Sequence, residues 1–175
     1  MVRVTGGELK GRGLHVPKTG VRPTTGRVRE AIFSMLGSVE DARVLDLFCG
    51  SGALGIEALS RGAGAATLVD SRPGAARRNL ESLGLGDRAT VVRADAARFL
   101  RSTEAGTFDL VLCDPPYRLA DRLAADLVQL IPRVLAEGGR AMLESPPERP
   151  LRLELPLLNE RSYGDTMIRI HGAPA

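Results

Sequence analysis

From residue 42 onward the chain alternates between two hydrophobic periods. Five short, nearly continuous apolar runs read as strands: Val44–Phe48, Ala66–Asp70, Ala89–Ala94, Phe108–Cys113 and Arg140–Glu144. Runs such as VLDLF and DLVLC show little in-and-out alternation, as strands do when helices cover both faces of a sheet. Between them, stretches near Ala53–Arg61, Gly74–Ser82, Ala96–Arg101 and Leu119–Leu135 predict helices. Upstream, RPTTGRVREAIFSML starts a helix near Thr25 or Gly26, with Val28, Ile32, Met35 and Leu36 close to one face and Ala31 beside them. The opening 21 residues, with turn material at Gly6-Gly7 and from Gly11 to Gly13, read as a short β-ribbon. The tail LPLLNERSYGDTMIRIHG predicts two strands around a tight turn at Tyr163-Gly164-Asp165.

This alternation specifies an α/β fold. The expected architecture is a doubly wound, mostly parallel, seven-stranded Rossmann-like sheet, with a C-terminal antiparallel hairpin and a short N-terminal β-ribbon plus helix. Ligands of such sheets sit at the carboxyl ends of the strands. The expected organisation is an N-terminal basic extension, residues 1–21, on one domain, residues 22–175.

Charge adds to this picture. The net charge is only +3, yet residues 1–30 hold seven basic side chains (Arg3, Lys10, Arg12, Lys18, Arg22, Arg27, Arg29) against Glu8 and Glu30. A basic arm on a near-neutral body suggests a polyanionic partner, although a solvated charged tail has the same composition. No apolar run approaches the length needed to cross a bilayer, and MVRVTGGELKGRG lacks the apolar segment of a signal peptide, so a cytoplasmic setting without membrane contact is expected. Cys49 and Cys113 are too few for a disulfide framework and each closes an apolar run, as a small buried thiol does.

The chemistry gathers at the strand ends. VLDLFCGSGALGIEAL places glycines at 50, 52 and 55, the G-x-G-x-x-G spacing of a turn that cradles either a dinucleotide or S-adenosylmethionine. Asp46, inside the apolar strand, is costly to bury unless it accepts hydrogen bonds or meets a cation. It can orient the glycine loop, as a structural cap of loop amides does, or hold through water the ammonium of a bound amino acid. Asp70 ends the next strand, where a carboxylate takes both ribose hydroxyls of an adenosine. Asp95 ends the third, within reach of an adenine amino group, with the Ala96 backbone at the ring edge; it also suits the N-cap of the following helix. FDLVLCDPPY ends the fourth in Asp114-Pro115-Pro116-Tyr117. Two prolines fix φ and remove two amide donors, which holds the neighbouring carbonyls rigidly. A carboxylate beside a fixed carbonyl matches a planar exocyclic amine, and Tyr117 offers a face on which its base can stack.

The order D-x-x-x-G-x-G, strand-end acid, strand-end Asp and D-P-P-Y is similar to class I S-adenosylmethionine-dependent methyltransferases of amino nitrogens. More narrowly, RPTTGRVREAIFSML, LDLFCGSGALGIEALSRGA and CDPPY resemble the RsmD family, over nearly the whole chain from VTGGELKGRGL to YGDTMIRI. The resemblance implies methylation of the 2-amino group of a guanine in 16S ribosomal RNA, with the small ribosomal subunit as partner; a monomer is the default expectation. By the same resemblance Asp46, Phe48, Gly50 and Gly52 shape the methionine side of the cofactor pocket, Asp70 and Ser71 the ribose side, and Asp95 and Ala96 the adenine side. Asp114, Pro115, Pro116 and Tyr117 would hold the target guanine; Arg3, Lys10, Arg12, Arg22, Thr24 and Arg27 would meet RNA. Two positions depart from the family: Gly26 stands where Asp is common, removing an expected helix cap, and Arg72 stands two residues after the ribose acid where Asp is frequent.

Other chemistries find little support. His15 and His171 have no partner pattern, so no metal site is indicated. Ser51 lacks the flanking glycines of a hydrolase elbow, and no G-K-[ST] is present. Three rivals stay open on the residues alone: methylation of another planar amine (an adenine 6-amino group or a glutamine amide), nicotinamide-dependent oxidation, and RNA binding without catalysis.

Overall fold

The computed structural model describes residues 2–16 and 24–174, with the backbone alone for 117–121. Val2–Arg3 (β1) and Gly13–Leu14 (β2) pair as an antiparallel ribbon, followed by helix α1, Gly26–Leu36. The sheet comprises Arg43–Leu47 (β3), Ala65–Asp70 (β4), Ala89–Arg93 (β5), Phe108–Cys113 (β6), Leu135–Ser145 (β7), Leu157–Tyr163 (β8) and Thr166–Gly172 (β9). Ala53–Ser60 (α2), Gly74–Leu83 (α3), Ala96–Ser102 (α4) and Tyr117–Val134 (α5) connect its parallel strands. Strand order is β5-β4-β3-β6-β7-β9-β8, parallel through β7 and antiparallel at the β9–β8 edge. The chain winds outward from β3 to β5 and then returns to β6 on the other side. The order therefore reverses between β3 and β6, and their carboxyl ends flank the crevice where such sheets bind ligands.

Strand periodicity sorts the core into two layers. Val44, Leu68, Leu110, Leu112 and Met142 pack with α1 to α3 through Ile32, Phe33, Ile56, Leu59 and Leu80. Leu45, Leu47, Val69, Val111 and Leu143 pack on the opposite face with α4 and α5 through Leu100, Leu127 and Ile131. Cys49 and Cys113 are free and buried. No helix among the described residues is long and apolar enough to cross a membrane.

Most element ends move by a residue from the sequence reading, and three features differ in ways that matter. Strand β7 begins at Leu135 rather than Arg140, because one bridge, Phe108 with Leu135, precedes a bulge after which Leu110 meets Arg140. Helix α5 begins at Tyr117 rather than Leu119; Pro116, with no amide to satisfy, stands at its N-cap. The third concerns Gly26, which removes no cap. Thr25 caps α1, its hydroxyl accepting from the Val28 amide, and Gly26 is already the first helical residue. A Cβ at Gly26 would meet Thr5 only at 3.5 Å, so the position has room for a side chain.

One carboxylate gathers several of the contacts that bind the ribbon to the body. Glu57 lies in α2 with no exposed surface. Its oxygens accept from the Thr5 amide at 2.9 Å, the Thr5 hydroxyl at 2.7 Å, the Gly6 amide at 2.8 Å and Arg61 Nε at 2.9 Å. Arg29 of α1, equally buried, approaches it at 3.8 Å and donates to the Arg3 and Thr24 carbonyls. Asn79 of α3 adds a second tie, exchanging hydrogen bonds with the His15 backbone while donating to the Ser51 carbonyl. Val4 and Leu14 are buried in the same core. The boundary expected between residues 21 and 22 falls outside the described residues.

Glu57→Ala leaves two amides and two guanidiniums without their shared acceptor, so unfolding free energy should fall by about 3–5 kcal/mol in urea titrations. Glu8→Ala, which breaks the exposed pair with Arg88, should cost at most about 1 kcal/mol. Similar costs for the two would mean that the buried cluster does not anchor the ribbon.

Candidate active site at the sheet crossover

Three adjoining strands carry an acid on the same face, Asp46 two residues below the level of Asp114 and Glu144. Val44 and Asp46, Leu112 and Asp114, and Met142 and Glu144 are i, i+2 pairs whose first member packs under α1 to α3. The register aligns Asp46 with Leu112 and Leu112 with Met142, and Cys113 with Leu143. Asp114 and Glu144, one residue farther on, therefore come side by side.

The glycine loop follows β3. Phe48 takes φ 59°, a conformation costly for a residue with a side chain, and Gly50 and Gly52 are also left-handed at 53° and 79°. A Cβ on Gly52 would lie 2.8 Å from Leu68, so close packing of the loop on β4 requires glycine. The Gly55 amide donates to Asp46 Oδ2 at 2.8 Å, which makes Asp46 a cap of the α2 N-terminus. Asp70 accepts from the Gly50 amide at 2.9 Å and the Arg72 amide at 2.7 Å, joining the ends of β3 and β4. Position 72 acts here through its backbone, and the Arg72 side chain is exposed, as is Ser71. Asp95 caps α4, accepting from the Arg98 amide at 3.0 Å, with Ala96 buried behind it.

Across the crossover, Asp114 precedes the prolines. Thr24 Oγ1 lies 3.2 Å from Asp114 Oδ2 and 3.1 Å from Glu144 Oε2, while the Thr166 hydroxyl is 3.3 Å from Glu144 Oε1. Thr24 thus belongs to the acid cluster. Glu144 carries no motif and was not singled out from the sequence; the alternation Met142-Glu144 was its only signal there. Arg3, Lys10, Arg12 and Arg27 are exposed, Arg3 donating to the Gly11 carbonyl within the ribbon. Arg22 and the Tyr117 side chain lie outside the described residues. No group of three or more His, Cys, Asp or Glu able to hold a metal occurs among the described residues.

The acids raise one another's proton affinity. Burial pushes the Asp46 carboxyl up to about 7 against the pull of the Gly55 amide, with Asp70 adding to the rise. Asp114 is pushed up to about 8, first by burial, then by Glu144, with Thr24 opposing and Asp46 adding. Glu144 is raised too, chiefly by burial, with Asp165 contributing. The Cys113 thiol is likewise raised, by burial and then by Asp114 and Asp46.

A carboxyl whose folded value lies above its unfolded one binds a proton in the native state that the unfolded state has lost. Below about pH 4 both states are protonated and nothing is gained or lost; from there to about 7 or 8, stability falls as pH rises. Each such group costs about 1.4 kcal/mol per pH unit across its window. The ligand-free protein should therefore unfold at lower urea concentration at about pH 8 than at about pH 5, and Asp114→Asn should flatten that slope. Stability rising over this range would show the acids ionised and well paired.

The family model described as Conserved hypothetical protein 95 matches residues 2–172. The chain is 46% identical over 123 residues to Ribosomal RNA small subunit methyltransferase D of Escherichia coli (strain K12), covering 67% of this chain and 61% of that protein. The match thus spans about three fifths of that relative's length. The protein of the same name from Haemophilus influenzae is 31% identical over 181 residues, 97% of this chain and 93% of its own. Among solved structures, the Escherichia coli protein yhhF superposes with a TM-score of 0.83 at 36% identity, over 99% of this chain and 98% of that one. With its crossover crevice, glycine loop and D-P-P-Y strand end, the chain belongs to the Conserved hypothetical protein 95 family, the RsmD family that its motifs resemble.

Proposed function

We propose that the protein methylates the exocyclic 2-amino group of a guanine in small-subunit ribosomal RNA, with S-adenosylmethionine as methyl donor and the cytoplasmic ribosomal subunit as setting. The observation that carries this reading is the Asp114-Pro115-Pro116 strand end, set across the sheet crossover from a left-handed glycine loop. The names of the Escherichia coli and Haemophilus influenzae relatives support the RNA class.

The residues present fit the cofactor. Beyond Gly50 nothing lies within 4 Å of a built Cβ, so the loop backbone is open to a ligand there. Asp46, Phe48, Gly50 and Gly52 would hold the methionine end, Asp70 and Ser71 the ribose, and Asp95 and Ala96 the adenine. When bound, the cofactor supplies an electrophilic methyl group on a sulfonium. The chain supplies position. The Asp114 carboxyl and the Pro115 carbonyl accept from the two N–H groups of the amine, which turns the nitrogen lone pair away from them and toward the methyl. The prolines offer no competing donor. Tyr117 stacks on the extruded base and replaces stacking lost from the RNA. Arg3, Lys10, Arg12, Arg22 and Arg27 contact phosphates.

Nucleoside mapping of ribosomal RNA from cells lacking the protein should show one N2-methylguanosine missing, restored by the parent gene and not by Asp114→Ala. In vitro, Tyr117→Phe should keep most activity, while Tyr117→Ala should lose about one to two orders of magnitude, from stacking of roughly 1–3 kcal/mol. Cofactor affinity by calorimetry should stay near the parent in both. A full methylation map in the deletion strain would refute the RNA assignment.

A further inference from the structure

Glu144 lies outside every motif, yet it shares a hydroxyl with Asp114. We propose that Glu144 is a positioning residue of the transfer step: through Thr24 it shares one proton with Asp114, and the pair, rather than Asp114 alone, receives the proton that the methylated nitrogen releases. This rests on the amine-methylation reading above.

The argument is a proton count. Thr24 Oγ1 has one hydrogen and lies 3.2 Å from Asp114 Oδ2 and 3.1 Å from Glu144 Oε2. With both carboxyls ionised, the hydroxyl can donate to one only, and the other contact sets lone pair against lone pair. One proton on the pair satisfies both: the Glu144 acid donates to Thr24, and Thr24 donates to the Asp114 carboxylate. Among the described residues, the charged groups acting on the pair do not favour losing that proton. Asp46 on β3 acts on Asp114, and Asp165 in the β8–β9 turn acts on Glu144; both are acids. Among the described residues, no Arg or Lys pairs with either carboxyl. Thr24 is itself held by Arg29, which donates to its carbonyl at 2.8 Å. The Thr166 hydroxyl engages the other oxygen of Glu144. Burial and mutual repulsion hold the titration of both acids above the usual carboxylate range, as a property of the pair.

In this arrangement the single negative charge stands on Asp114, facing the amine, and Glu144 keeps it there. As the N–CH3 bond forms and the S–CH3 bond breaks, the electron pair of the broken bond stays on sulfur and the nitrogen becomes cationic. Asp114 then accepts one of the two nitrogen protons, leaving a neutral N-methylamine. The pair passes from one proton to two and returns one to water when product leaves.

The test uses Glu144→Gln, which keeps the hydrogen bonds to Thr24 and Thr166 that the protonated acid makes and has no proton to give up. In ligand-free protein with 13C-labelled carboxyls, the Asp114 signal of the parent should show two titration steps, and this variant only the lower one. The descending limb of the kcat–pH profile, where the parent pair loses its last proton, should vanish in the variant, with KM for the cofactor unchanged. Thr24→Val, which removes the hydrogen bond that stabilises the Asp114 carboxylate, should move the ascending limb to higher pH, and Thr24→Ser should restore it. An Asp114 signal with a single step in the parent, or equal loss of kcat at every pH in Glu144→Gln, would overturn the proposal. A parent protein that methylates no guanine overturns the functional reading instead, whereas the carboxyl titration still decides whether the proton is shared.

Discussion

A single buried carboxylate, Glu57, sets the positions on which the site depends. It lies in the middle of α2, where a charge without partners would be very costly; the ribbon and Arg61 donate to it, and Arg29 of α1 stands 3.8 Å away as a second cation. Arg29 extends that link. Burial lowers its pKa while Glu57 opposes the shift, and its outer nitrogens fasten the carbonyls of Arg3 and Thr24. Thr24, held in this way by its backbone, presents its hydroxyl to Asp114 and Glu144. A path of polar contacts therefore runs from α2 through α1 to the strand end, and the geometry of the proposed chemistry inherits the rigidity of the core.

The site itself is built against electrostatic ease. Asp46, Asp114 and Glu144 stand on one face of adjoining strands, Asp46 two residues below the other two, and each is raised in pKa first by burial. Backbone amides and hydroxyls moderate this, through Gly55 at Asp46 and through Thr24 and Thr166 at the pair, but do not cancel the repulsion. Such a pocket is more stable with a proton or a cationic ligand than with bare carboxylates. On the proposed function, the sulfonium and ammonium of the cofactor would satisfy the same field that raises the proton affinity of the acids in their absence.

What the sequence made legible was local. Continuous apolar runs identified all five parallel strands, most clearly β3 and β6, where burial on both faces leaves no alternation to misread, and the proline pair marked the strand end at which Asp114 meets Glu144. The missed features join residues far apart in the chain. Thr24 and Glu144 are separated by 120 positions, and Thr5 and Glu57 by 52. No period or spacing encodes such a contact, so Glu144 read as the polar end of a strand and Glu57 as one charge on a helix. The helix cap at α1 was misassigned for a smaller reason. Thr25 and Gly26 are adjacent, and only the backbone reveals that the hydroxyl of the first already accepts from Val28.

Charge shows the same limit with a consequence for binding. The first thirty residues are strongly basic by composition, yet their positive charge is not all presented to solvent. Arg29 is 1% exposed and committed to Glu57 and two carbonyls, so it is structural and unavailable to a phosphate. Glu8, counted against the arm, is neutralised by Arg88 from the body. Arg3, Lys10, Arg12 and Arg27 remain exposed, on a ribbon and a helix whose backbones the Glu57 cluster holds. Phosphate contacts made from such a frame lose less conformational freedom on binding than contacts from a free tail. On the proposed function, the buried charge would contribute to recognition indirectly, by fixing where the exposed charges stand.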